Sequence, residues 1–304
     1  MTASRVAGIF PGQGSQTVGM GAALVEGEAL ARETFAEADA ALGFSISQLC
    51  FAGPAEALTR TSNAQPALVT VSTACWRVLR ARGFTCAVVA GHSLGEFSAL
   101  VAAGALEFAD ALRLVRTRGE LMEAAADARP GGMAAVIGLA ADVVEALCAE
   151  IAAEHGTLTP ANYNSPGQIV VSGERDAIAA LRAVGKSRGA RVLPLPVSGA
   201  FHSPLMAPAA AAFAAVLAQT PIAAPAVPVV QNVTAAPATE PDAIRDALAR
   251  QITGSVRWMQ SLCAMRDMGA TRFVEIGPGT VLTGLVQRTL PDAEAVQVTA
   301  LLAE

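Results

Sequence analysis

Residues 87–100 read Ala87-Val88-Val89-Ala90-Gly91-His92-Ser93-Leu94-Gly95-Glu96-Phe97-Ser98-Ala99-Leu100. A short apolar run runs straight into Gly-x-Ser-x-Gly, and a helix-like segment follows. The run has the length and texture of a strand buried on both faces. The turn after it is so tight that its flanking positions, Gly91 and Gly95, need glycine. Ser93 is then pushed out beyond the sheet edge, and the helix start points free amides at whatever reacts there. Strand, Gly-x-Ser-x-Gly and helix in this order form a nucleophile elbow, which makes Ser93 a candidate covalent nucleophile. The same five residues also occur in ordinary strand-to-helix turns, so distant segments have to agree.

Outward from the elbow, strand-like and helix-like runs alternate, which predicts an α/β protein with a mainly parallel sheet. Towards the N-terminus, a strand at 6–10 enters the loop Pro11-Gly12-Gln13-Gly14-Ser15-Gln16. Helical patterns follow at 21–42 and 66–82, with the elbow strand at 86–90. Beyond the elbow, helices are expected at 94–103 and 107–126. Arg129-Pro130-Gly131-Gly132 breaks the pattern. Strands at 133–139, 168–172 and 191–195 then alternate with helices at 141–154 and 175–188, as in a small α+β unit of the split βαβ kind. Pro194 and Pro196 close it. Helix 206–219, strand 227–232, helices 241–251 and 255–268 and strand 272–276 return to the larger part. The expected organisation is a large catalytic subdomain from 1–129 and 198–304, with a small one at 130–197 between its halves.

The 304 residues are 53% hydrophobic and 15% charged, enough for a sizeable core. No run of about 18 apolar residues free of charges or turn signals occurs, which argues against a spanning helix. The N-terminus lacks a basic region followed by a long apolar block, so no signal peptide is expected. Cys50, Cys75, Cys86, Cys148 and Cys263 show no C-x-x-C spacing, and buried free thiols in a reducing cytoplasm are the expectation. The net charge is −5 and there is no basic tract, which argues against nucleic acid. Nothing in the sequence suggests an extended apolar interface, so a monomer is expected.

A serine hydroxyl needs a base within hydrogen-bond reach. Of three histidines, His92 adjoins Ser93 but points elsewhere from the elbow, and His155 lies in a polar helix end. His202 lies in Ser198-Gly199-Ala200-Phe201-His202-Ser203-Pro204, a loop of the kind that carries catalytic groups in α/β proteins. An oxyanion needs two amides. The Leu94 amide, just after the nucleophile, is one candidate; the loop Pro11-Gly12-Gln13-Gly14 offers the other. That loop lacks the Lys-Ser/Thr of a P-loop and the third glycine of a dinucleotide fingerprint. Arg118, on the helix after the elbow helix, would fit a carboxylate with two parallel hydrogen bonds if buried. On a charged helix face, a surface ion pair is the commoner arrangement.

Six ordered segments carry a resemblance to a known family: Phe10-Pro11-Gly12-Gln13-Gly14-Ser15-Gln16, Gly91-His92-Ser93-Leu94-Gly95-Glu96, Arg118-Gly119-Glu120-Leu121-Met122, Ala161-Asn162-Tyr163-Asn164, Gly199-Ala200-Phe201-His202-Ser203 and Glu275-Ile276-Gly277-Pro278-Gly279. Together they resemble the malonyl-CoA:acyl carrier protein transacylases and the acyltransferase domains of polyketide synthases. The resemblance implies a large hydrolase-like parallel-sheet subdomain with a small ferredoxin-like one inserted. It implies Ser93 as nucleophile, His202 as base, and the amides of Gln13 and Leu94 as the oxyanion hole. It implies that Arg118 grips the free malonyl carboxylate and that the backbone carbonyl of Gln251 orients His202. Asn162, Gln65 and His92 would line the acyl pocket.

The implied reaction moves malonyl from malonyl-CoA to the phosphopantetheine thiol of an acyl carrier protein through a malonyl-serine ester, without a cofactor, for fatty acid or polyketide synthesis. Phe201 would crowd an α-methyl branch, and Leu94 also fits a malonyl preference. Gly199 stands where many polyketide malonyl domains have His, which suggests a freestanding enzyme. Lys186, Arg188 and Arg191 form a candidate docking patch for the acidic carrier protein. Two other readings compete. A hydrolase clearing carrier proteins would use Ser93 and His202 in the same way but would have no use for a cation at Arg118. A non-catalytic docking module would need none of the three.

Overall fold

The structure is a computed structural model that describes residues 5–303. Its strands, in chain order, are β1 (Arg5–Phe10), β2 (Val88–Gly91), β3 (Gly131–Ile137), β4 (Leu158–Ser165), β5 (Gln168–Glu174), β6 (Arg191–Pro194), β7 (Val229–Val230), β8 (Pro237–Ala238), β9 (Ala270–Glu275) and β10 (Glu294–Gln297). The large sheet has the order β10-β9-β1-β2-β7-β8. It is parallel except for the β7–β8 pair. Alternation along its central strands feeds two cores. Ala7 and Ile9 of β1, with Val88 and Ala90 of β2, pack with Trp258 and Phe273 on one face. Phe10 and Val89 face the other side, among Phe97, Phe213 and the long helices. Burial on both faces is why these strands read as continuous apolar runs.

The second sheet is antiparallel, in the order β4-β5-β3-β6. Helices Ala141–His155 and Arg175–Ser187 cover the face carrying Ala134, Val136, Ile169 and Val171. Met133, Ala135 and Val170, on its opposite face, belong to the main core. The β-α-β-β-α-β order is that of a ferredoxin-like unit. The fold is therefore the expected α/β architecture: a parallel hydrolase-like sheet and a ferredoxin-like antiparallel one.

Five local expectations need correction. The helix expected at 21–42 is broken at Glu28, whose backbone is extended, into Ala22–Gly27 and Ala29–Leu42. Strand β4 is absent from the sequence reading because Pro160 and two asparagines interrupt its pattern. It lies at the sheet edge with register shifts at Pro160/Asn162 and Tyr163/Ser165, and proline is tolerated in such a place. The helix expected at 66–82 spans Thr61–Ala81 with Pro66 inside it. Proline cannot donate to the carbonyl four residues back, and that carbonyl, of Ser62, instead accepts from Arg116 Nη1 at 3.1 Å. The strand expected at 227–232 shrinks to Val229–Val230, which frees Gln231 and Asn232 for the loop beyond it. Helix Val281–Thr289 and β10 lie past the last expected element. That helix takes its N-terminal cap from the Glu275 carboxylate, which accepts from the Leu282 and Thr283 amides at 3.1 and 2.8 Å, so no adjacent residue announces its start. Among the described residues, no helix is long and apolar enough to cross a membrane. All five cysteines are free.

Candidate active site

The C-terminal ends of β1, β2 and β9 are level with one another: Phe10 pairs with Gly91, and Ile9 with Glu275. The loops leaving those ends therefore meet at one rim, the usual ligand position in an open parallel sheet. Ser93 follows β2 with φ +50°, a left-handed backbone that a non-glycine residue adopts only when its surroundings impose it. A Cβ on Gly91 would lie 1.8 Å from the carbonyl carbon of Gly95, and one on Gly95 would lie 2.0 Å from the Phe10 oxygen. Bare glycine at both positions is what lets strand, turn and helix pack so closely.

Ser93 Oγ lies 2.7 Å from His202 Nε2. His202 Nδ1 faces two carbonyl oxygens, Gln251 at 2.9 Å and Gly254 at 3.1 Å. Carbonyls only accept, so Nδ1 carries the proton and Nε2 presents its lone pair to Ser93. His202 also has positive φ, at 57°. Its loop is pinned by Ser203 Oγ, which donates to the Ala200 carbonyl at 2.6 Å and accepts from the Leu205 amide. Burial, and then the positive charge of Arg118, pull His202 from 6.5 down to about 3. The ring is thus the neutral, proton-accepting species at physiological pH.

Arg118, from helix Phe108–Ala128, is 1% exposed. Its helix comes close to helix Thr61–Ala81, and a Cβ on Gly119 would lie 2.7 Å from Ser62 Cα. At that separation Nη1 reaches Gln65 Oε1 at 2.8 Å, while Nη2 reaches Gln251 Oε1 at 2.9 Å. The guanidinium also lies over the Phe97 ring, 5.6 Å from its centroid. Burial lowers Arg118 to about 10, with Glu96 opposing the shift, so it stays cationic at neutral pH.

A cleft of about 450 Å³ opens on Ser93, His202 and Arg118 together. Gln13, His92, Leu94, Asn162 and Phe201 line it as well, so the pocket residues expected from sequence converge there. Gln65 stands behind Arg118, fully buried. Neither the Leu94 nor the Gln13 amide has an acceptor among the described residues. The Gln13 side chain is braced, donating to Thr61 Oγ1 at 3.2 Å. His92 Nε2 is tied to Asn164 Oδ1 at 2.8 Å, and its ring lies against Trp258, so it is turned away from Ser93 Oγ. His155 is exposed at a helix end. Arg188 forms an ion pair with Glu150 at 3.6 Å, so the basic patch with Lys186 and Arg191 is partly neutralised.

Two residues to which the sequence reading gives no role stand beside Ser93. Asn232 Oδ1 accepts the Ser93 amide at 2.6 Å, and its Nδ2 donates to the Gly91 carbonyl at 2.6 Å. Glu96 is fully buried, and burial pushes its carboxyl up to about 7. Oε2 of Glu96 accepts from the Asn232 amide at 3.0 Å and from Gln251 Nε2 at 2.9 Å.

A hydroxyl on a strained elbow, a neutral imidazole against it, two amides without acceptors on cleft-lining residues and a buried cation are groups that can serve acyl transfer. The fold and the site define an acyltransferase. The chain belongs to the family described as the acyl transferase domain, which matches residues 8–304. It is 49% identical over 282 residues to a malonyl CoA-acyl carrier protein transacylase of Escherichia coli (strain K12), covering 92% of this chain and 91% of that protein. An acyl carrier protein S-malonyltransferase of Vibrio cholerae superimposes with a TM-score of 0.95 at 45% identity, covering 99% of each chain. A malonyl-transacylase solved in complex with a type II PKS acyl-carrier protein superimposes with a TM-score of 0.91 at 42% identity, covering 97% of this chain and 94% of that one.

Proposed function

We propose that this enzyme transfers a malonyl group from malonyl-CoA to the phosphopantetheine thiol of an acyl carrier protein, through a malonyl ester on Ser93. The observation that carries the substrate choice is Arg118, a buried cation opening on the same cleft as the Ser93–His202 pair. A simple acyl chain has no use for it; a free carboxylate does. The names of the relatives, and the complex of one of them with its carrier protein, support the same reading.

His202 Nε2 takes the Ser93 proton as Oγ attacks the thioester carbonyl. The Gln13 and Leu94 amides receive the oxyanion. Collapse of the tetrahedral intermediate breaks the C–S bond, and His202 returns the proton to the coenzyme A thiolate. The carrier-protein thiol then enters, gives its proton to His202 and attacks the ester, and Ser93 Oγ leaves with that proton. The two half-reactions make the kinetics ping-pong. No cofactor is needed. Fatty acid and polyketide synthesis both supply such carrier proteins. The patch at Lys186, Arg188 and Arg191 would meet the acidic carrier.

The test follows labelled malonyl from malonyl-CoA onto holo carrier protein. Transfer that requires the native chain and is abolished in Ser93→Ala supports the reading. Release of free malonate, with none reaching the carrier, would replace it with a hydrolase.

A further inference from the structure

Glu96 is a carboxyl group at 0% exposure, with Oε1 unpartnered among the described residues. Burying such a group is costly unless hydrogen bonds replace its lost hydration. Both bonds it accepts converge on Oε2, and each leads to one half of the reacting pair. Through the Asn232 amide, Oε2 holds the residue whose side chain takes the Ser93 N–H and braces the Gly91 carbonyl. Through Gln251 Nε2, it holds the residue whose carbonyl receives His202 Nδ1–H. Gln251 Nε2 also donates to the Ser93 carbonyl at 3.0 Å. Asn232 lies in the loop after β7 and Gln251 ends helix Pro241–Gln251. The nucleophile and the base therefore sit on separate segments, and one oxygen atom bonds to the holder of each.

We infer that Glu96 is a positioning residue that fixes the distance between Ser93 and His202 by bonding Asn232 and Gln251 with a single carboxylate oxygen. The inference deepens the transferase reading and rests on it for the identity of the acyl donor. The effect required is small in space, because reacting groups displaced by about 1 Å lose on the order of 100-fold in rate.

The geometry separates reach from charge. In Glu96→Gln, the amide oxygen can occupy the Oε2 position and accept both bonds, with the NH2 in place of the unpartnered Oε1. In Glu96→Asp, the charge is kept, but the side chain is one methylene too short for both donors. The experiment measures the single-turnover acylation rate and apparent KM with malonyl-CoA, alongside labelling by a fluorophosphonate, which uses the Ser93–His202 pair but carries no carboxylate for Arg118, and a thermal melt.

The expected result is a Glu96→Gln rate within about threefold of native and a Glu96→Asp rate lower by about 100-fold, with KM little changed in either. Fluorophosphonate labelling should follow the same order. Should Glu96→Asp fail to fold, Asn232→Ala cuts the Ser93 arm of the same network and should slow both reactions while Glu96→Gln stays fast. A native rate in Glu96→Asp or in Asn232→Ala would overturn the inference. So would a Glu96→Gln loss as large as that of Glu96→Asp, which would make charge the operative property. Failure of the native chain to react with malonyl-CoA, with normal fluorophosphonate labelling, would refute the transferase reading and leave Glu96 still testable.

Discussion

Replacing Arg118 with methionine keeps most of the buried stem and removes the charge. The guanidinium has five N–H donors, and two are committed, to Gln65 and Gln251, which leaves three (5 − 2). A carboxylate held by two parallel bonds needs only two of these. Hydrogen bonds to charged groups contribute about 1.5–3 kcal/mol each, so a two-pronged grip contributes about 3–6 kcal/mol. At about 1.4 kcal/mol per tenfold, malonyl acylation should fall by roughly 10²–10⁴. Acetyl-CoA has no free carboxylate, and its acylation of Ser93 should hold or rise. The assay is single-turnover acylation of the native and Arg118→Met chains by both thioesters. An equal fall with both donors would refute the reasoning, because it would mean that Arg118 acts by holding Gln251, and hence His202, in place.

Phe201 is 5% exposed and lines the cleft, so Phe201→Ser should admit an α-methyl branch and raise acylation by methylmalonyl-CoA relative to malonyl-CoA by about tenfold or more, as a methyl-sized contact contributes about 1–3 kcal/mol; an unchanged ratio measured by competition would count against it. His202 must be neutral to act and is pulled below 6.5 by burial and Arg118, so acylation kcat/KM should stay flat as pH falls through 6.5, and an acid limb at 6.5 would contradict this. Gly95→Ala would drive a methyl group into the Phe10 carbonyl and should yield little folded protein by circular dichroism, losing at least about 3 kcal/mol. Charge reversal at Arg188 and Arg191 should raise KM for the carrier protein and leave KM for malonyl-CoA unchanged; equal effects on both would remove the docking patch from the account.

How much was legible depended on how local each determinant is. The elbow announces itself because the close approaches at Gly91 and Gly95 fall within five residues of chain. The parallel sheet is equally visible, since strands buried on both faces read as apolar runs. Strand β4 hid behind Pro160 because its edge position, which excuses the proline, is a property of the sheet. Helix Val281–Thr289 hid because its cap is seven and eight residues away in β9. Arg118 is the sharper case: on its own helix it reads as a surface arginine, and only Gln65 and Gln251, 53 and 133 residues distant, show where the side chain goes. Asn232 gave no signal because its partner Ser93 lies 139 residues away. The resemblance supplied Gln251, which spacing alone could not. The pairing of Arg188 with Glu150 joins two elements that are separate in sequence, and the spacing of Lys186, Arg188 and Arg191 shows only one of them.

The central claim is the malonyl ester on Ser93, and the direct measurement is the intact mass of the native and Ser93→Ala chains after brief exposure to malonyl-CoA, followed by peptide mapping. The account predicts one malonyl increment on the native chain, mapped to the peptide containing Ser93, lost on adding holo carrier protein and absent from Ser93→Ala. A malonyl increment that persists in Ser93→Ala, or coenzyme A release with malonate accumulating and no adduct on the native chain, would contradict it.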